Sequence, residues 1–102
     1  MNEDEHMTTH IPDSYVNDLK RKVMKNLIER TDKDETVSLS KDDVYKEACE
    51  GISVYDSYPS TNTTLKNRVF QDLFGEGSIV DGNAPNEVKI TFRGKRAPEY
   101  QP

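Results

Sequence analysis

A single cysteine, no tryptophan and only two histidines leave this chain short of the groups that most chemistry needs. One thiol cannot form an internal disulfide. Cys49 falls on a helical apolar stripe, which makes it a small core residue before a nucleophile and suits a reducing intracellular compartment such as the cytoplasm. His6 and His10 are four apart, the spacing that sets two imidazoles on one helical face, but no further His or Cys completes a coordination shell and no metal is expected. There is no phosphate loop, dinucleotide fingerprint or nucleophile elbow, so neither a cofactor nor enzymatic activity is expected, and Gly75-Glu76-Gly77 reads as a helix stop. No apolar run approaches about 18 residues and no apolar stretch opens the chain, which disfavours membrane spanning and secretion.

Basic charge is outnumbered, with 14 Lys and Arg against 19 Asp and Glu. The 102 residues carry a net charge of -5, with 32% hydrophobic and 32% charged residues and a mean hydropathy of -0.91. That length accommodates one domain, and the polarity implies that part of it is tail. Residues 1–13, with Glu3, Asp4 and Glu5 and little to bury, are expected to form a disordered acidic tail; residues 97–102, with Pro98 and Pro102, are expected to form a second. The domain is placed at 14–96. Charge is uneven along the chain: residues 1–59 hold 14 acidic and 8 basic side chains, residues 60–102 hold 5 and 6. Phosphate contacts usually supply most of the affinity for DNA, so the second half is the less unfavourable one for such a partner.

From a cap at Asp13 or Ser14, Val16, Leu19, Val23, Leu27 and Ile28 recur at helical spacing to about Glu29, with Met24 flanking and Lys20, Arg21, Lys22 and Lys25 outside. Glu35 to Leu39 alternates as a short strand with Val37 and Leu39 inward. Ser40 followed by Asp43 resembles a capping box ahead of a second stripe of Val44, Tyr45, Ala48, Cys49 and Ile52 that ends near Gly51. Ser53 to Pro59 is a linker, in which Tyr55 and Tyr58 are core caps or contact residues. Ser60 to Gly75 then forms a third helix. Leu65, Val69, Phe70 and Leu73 share one arc, while Thr64, Asn67, Arg68 and Gln71 gather opposite. Gly77 to Val80 and Glu87 to Arg93 read as two strands, with Val88, Ile90 and Phe92 on the inner face and Lys89, Thr91 and Arg93 outside. The connection between them is too long for a two-residue turn.

Helix, short strand, helix, helix and a two-stranded hairpin with basic residues outside resembles the element order of winged helix-turn-helix domains over about Ser14 to Arg96. The resemblance implies an α+β fold of three helices, a short strand and a two-stranded wing, and a sequence-specific double-stranded DNA-binding protein such as a small transcriptional regulator. The third helix would enter the major groove. Thr64, Asn67, Arg68 and Gln71 would then face bases, as Arg suits guanine and Asn or Gln adenine. Thr61, Lys66, Lys89, Arg93, Lys95 and Arg96 would meet phosphate at the helix start or the wing, and the first helix is the natural surface for a homodimer that reads two half-sites. Winged domains also serve as protein-binding modules, so the alternative is a non-enzymatic interaction module or inhibitor within a replication, transcription or host–virus complex. The acid-rich first half suits that alternative.

Overall fold

The computed structural model describes residues 13–50 and 63–101, and within them the chain is α+β. Helix α1 (Asp13–Thr31) is followed by strand β1 (Leu39–Ser40), α2 (Lys41–Glu50), α3 (Thr63–Gly75), β2 (Ile79–Asp81), β3 (Glu87–Ile90), α4 (Phe92–Arg96) and one turn of 3-10 helix at Pro98–Tyr100. The three short strands form an antiparallel sheet in the order β1-β3-β2.

Helical periodicity decides the core. In α1, Val16, Leu19, Val23, Met24 and Leu27 are buried, so Met24 lies within the stripe, while Ile28 packs only at its edge. Asp13 already belongs to the first turn, where its carboxylate complements the helix dipole. The helix ends in a Schellman arrangement: Lys33 N–H donates to Ile28 O at 3.2 Å and Asp32 N–H to Glu29 O at 3.3 Å, with Asp32 at φ 53°. Helix α2 buries Val44, Tyr45, Ala48 and Cys49, and Ser40 Oγ accepts from Asp43 N–H at 3.4 Å as the capping pattern predicts. The free Cys49 is buried, and desolvation pushes its thiol pKa up. Helix α3 buries Leu65, Val69, Phe70 and Leu73. Its stop repeats the Schellman geometry, with Ser78 N–H donating to Leu73 O at 3.0 Å, Gly77 N–H to Phe74 O at 3.1 Å and Gly77 at φ 81°. The glycine pair therefore ends a helix, as expected.

In the sheet, Ile79 pairs with Ile90 and Leu39 with Val88, which turns Val88 and Ile90 to the core and Lys89 outward beside Val80. The strand at Glu35 to Leu39 shrinks to Leu39–Ser40, because Asp34 accepts both Thr36 N–H at 2.8 Å and Thr36 Oγ1–H at 2.6 Å in a side-chain-closed turn. Two larger expectations are corrected. The second hairpin strand stops at Ile90 and does not run to Arg93: Thr91 leaves the ladder, its hydroxyl donates to Gly77 O at 2.6 Å and accepts from Gly94 N–H at 2.9 Å, and α4 begins. Phe92, expected inward, is consequently 58% exposed. The stretch expected to be a tail from residue 97 instead starts with the 3-10 turn, which buries Tyr100 against the core. Residues 1–12, Gly51 to Asn62 with the linker and its tyrosines, and the His6 and His10 pair lie outside the described residues.

Candidate nucleic-acid interface

Asp42, in the first turn of α2, ties three elements together. Its carboxylate pairs with the Lys66 ammonium from α3 and accepts from Asn86 Nδ2 of the hairpin loop at 2.9 Å. The loop is fixed a second time by Lys41 N–H donating to Asn86 O at 2.9 Å. Asn86 stands at φ 67°, a left-handed conformation that asparagine tolerates better than most residues. Deeper in the loop, Ser38 Oγ–H donates to Glu87 Oε1 at 2.7 Å and the same oxygen accepts from Asn83 N–H at 2.9 Å. The start of α2, the outer face of α3 and the hairpin loop thus form one continuous surface.

On it lies a concavity of about 200 Å³ lined by Lys41, Lys66, Asn67, Gln71 and Asn86 over a floor of Phe70 and Phe74. The Lys41 ammonium sits 5.4 Å from the centroid of the Phe74 ring and 6.0 Å from that of Phe70. Desolvation, and after it the neighbouring Lys41 charge, holds the Lys66 pKa below the usual lysine value. Asp42 already supplies the carboxylate partner of Lys66, and the Lys41 charge acts on the same ammonium from the other helix. Thr64, Asn67 and Gln71 are exposed on α3 as the helical arc predicts. Arg68 is half-exposed and forms an ion pair with Asp13 at the start of α1.

The remaining expected contacts divide. Lys89 lies on the outward face of β3, whereas Arg93, Lys95 and Arg96 belong to α4, at the base of the hairpin and not on a wing strand. Lys95 is engaged by Glu35 at 2.8 Å and donates to Lys33 O at 3.0 Å. Thr61 lies outside the described residues. Sequence reasoning missed Lys41 and Asn86. Position gave Lys41 one signal, since it follows the Ser40 cap at a helix start, where anions are favoured. Nothing local marked Asn86, which only the closed hairpin brings to Asp42.

The other end of α3 is polar for a structural reason. Glu76 pairs with Lys20 of α1 at 2.7 Å and accepts from the Ser78 hydroxyl and the Tyr100 hydroxyl, each at 2.6 Å. Burial pushes its pKa up, but the hydrogen bonds from Lys20, Ser78 and Tyr100, with the Lys20 charge, outweigh burial and hold it below the usual range. The contribution of Glu76 to stability is therefore present above the ordinary glutamate value of about 4.3 and is lost as pH falls through the lower folded value. Glu76→Gln is expected to cost about 1–2 kcal/mol at neutral pH, the net worth of charge-assisted hydrogen bonds. Urea denaturation should show the gap between wild type and variant closing at low pH.

Among the described residues no group of three or more His, Cys, Asp or Glu could hold a metal ion, and no helix is long and apolar enough to cross a membrane. Four of the nineteen acidic side chains, Glu3, Asp4, Glu5 and Asp56, lie outside the described residues, so within them 14 basic groups face 15 acidic ones. The described residues are together close to neutral. Compared with known proteins, the chain matches no family model, no curated protein and no solved structure.

Proposed function

We propose that the chain is a winged helix-turn-helix protein that binds double-stranded DNA, with α3 entering the major groove and the β2–β3 hairpin as its wing. One observation carries the reading: Lys41 and Lys66, from two helices, converge beside the exposed amides of Asn67 and Gln71 on a surface that the hairpin loop joins through Asn86. That pairing puts phosphate-binding cations next to side chains able to read base edges. The element order supports it, since helix, strand, helix, helix and hairpin follow in the expected sequence, with β1 closing the hairpin into one sheet.

In this reading Asn67 and Gln71 read bases, Thr64 adds a hydroxyl and a methyl, and Lys41, Lys66 and Lys89 fix register on phosphates. Arg68 joins the base readers by exchanging Asp13 for a base edge. Fluorescence anisotropy with random-sequence duplex at low and moderate salt should show saturable binding that salt removes. Lys41→Gln and Lys66→Gln should each weaken all sequences alike and lower the salt slope by about one, whereas Asn67→Ala should relax preference at one position of a selected site by about 1–3 kcal/mol. Binding indifferent to salt and to both lysines, or no binding at low salt, would overturn the proposal.

A further inference from the structure

Three of the five arginines have a carboxylate partner: Arg21 with Asp18, Arg30 with Glu47 and Arg68 with Asp13. The other two, Arg93 and Arg96, are exposed, have no ion pair among the described residues, and sit on the same five-residue helix α4. The same helix starts with Phe92, 58% exposed, with the Arg96 guanidinium 5.0 Å from its ring centroid. An open concavity of about 570 Å³ runs beside these three side chains and is lined also by Ser78, Pro98 and Glu99.

The helix beneath it is held firmly. Gly94 packs against the Ser78 backbone, Thr91 caps the first turn, and Gln101 Nε2 donates to Lys95 O at 2.7 Å and Ala97 O at 3.2 Å. Glu76, which also borders the concavity, has its charge taken up by Lys20 and its oxygens by Ser78 and Tyr100. Among the described residues the field at the groove is therefore set by Arg93 and Arg96, with the Lys95 ammonium 5.8 Å from the Phe92 ring centroid, and is opposed by Glu99 at the rim.

We propose that α4 and the turn after it form a docking site for an acidic peptide segment of a partner protein, one that places an apolar side chain on Phe92 and carboxylates on Arg93 and Arg96. Charge complementarity selects the acidic segment, and bidentate guanidinium–carboxylate geometry fits two unpaired arginines. The exposed ring and Pro98 call for an apolar side chain, which a phosphodiester backbone does not offer. The site also lies away from the surface around Lys66: α4 rests on Gly77 and Ser78, beyond the end of α3, and from Lys66 to the helix end at Gly75 the axis runs about 14 Å. The two surfaces can be occupied together, and docking at α4 does not depend on DNA binding at α3.

The test is a selection of displayed random peptides on the full-length protein, followed by anisotropy with the recovered peptides and, separately, with random duplex DNA. Recovered peptides should be net acidic with at least one aliphatic or aromatic residue. Arg96→Gln and Phe92→Ala should each weaken them about tenfold, as for a central interface residue, without shifting the thermal midpoint. Duplex binding should be unchanged in both variants. Failure to enrich, recovery of neutral or basic peptides, or binding that survives both substitutions would overturn the proposal. So would loss of duplex binding in Arg96→Gln, which would assign this arginine to nucleic acid.

Discussion

Gly94→Ala is expected to lower stability by about 2–4 kcal/mol, even though helix propensity alone would have it raise stability by about 1 kcal/mol. The two effects have opposite signs, and the geometry decides between them. A Cβ on Gly94 would overlap the Ser78 carbonyl oxygen and stand 2.8 Å from its carbon and 2.9 Å from its Cα, all backbone atoms. Ser78 has no room to yield. Its N–H donates to Leu73 O at 3.0 Å, its O accepts Thr91 N–H at 3.1 Å, and its hydroxyl is bonded to Glu76. Helix α4 must therefore lift, which breaks the Thr91 cap and uncovers Tyr100. Gly75→Ala is the matched control: a Cβ there meets nothing within 4 Å, so propensity acts alone and a gain of about 0.5–1 kcal/mol is expected. Urea midpoints of the two variants should move in opposite directions. A Gly94→Ala midpoint at or above wild type would mean that α4 is not seated on Ser78.

That contact also shows where the sequence stops being legible. Val88, Ile90 and Phe92 continue a period of two without a break, and the pattern holds for the first two residues and fails at the third. The diversion is written in Thr91 and Gly94, a capping residue and a residue with no side chain, and a five-residue helix is too short for periodicity to register. Tyr100 is similar, since an aromatic near the end of a proline-bearing stretch looks unburied until Glu76, 24 residues earlier, supplies its hydroxyl with a partner. Long amphipathic elements were readable because one interaction, burial of a stripe, fixes them. Val16, Leu19, Val23 and Leu27 of α1, and Leu65, Val69 and Leu73 of α3, are all inside.

The candidate site divides along the same line. Which residues of α3 face outward follows from 100° per residue, and Thr64, Asn67 and Gln71 are exposed accordingly. What stands beside them does not follow. Lys41 and Lys66 are separated by 25 positions, and Arg68 finds Asp13 across 55, so both the cation pair and the ion pair on the outer face of α3 depend on tertiary closure. The same closure moves Arg93 and Arg96 from an expected wing to a separate helix. A linear charge count near +1 for the second half could not distinguish these two locations.

Leu73→Ala, the second large effect, tests the orientation of α3 on which the proposed interface depends. Leu73 is fully buried beside Leu65 and Val69, and truncation leaves a cavity that this short helix cannot close, so a loss of about 3 kcal/mol is expected. For a domain of this size that is a large share of a total of about 5–10 kcal/mol. Gln71→Ala, two positions earlier and about 200° away around the axis, is exposed and should change stability by less than about 0.5 kcal/mol. The Leu73 carbonyl also accepts the Ser78 N–H, so slackening here reaches the turn that seats α4. Chemical denaturation of both variants, with duplex binding measured where each is folded, separates the two roles of the helix. The leucine should lower stability and leave base preference intact in the molecules that remain folded; the glutamine should do the reverse. If Gln71→Ala proved the more destabilising, α3 would be rotated from the orientation described and the amide face could not be the one presented to DNA.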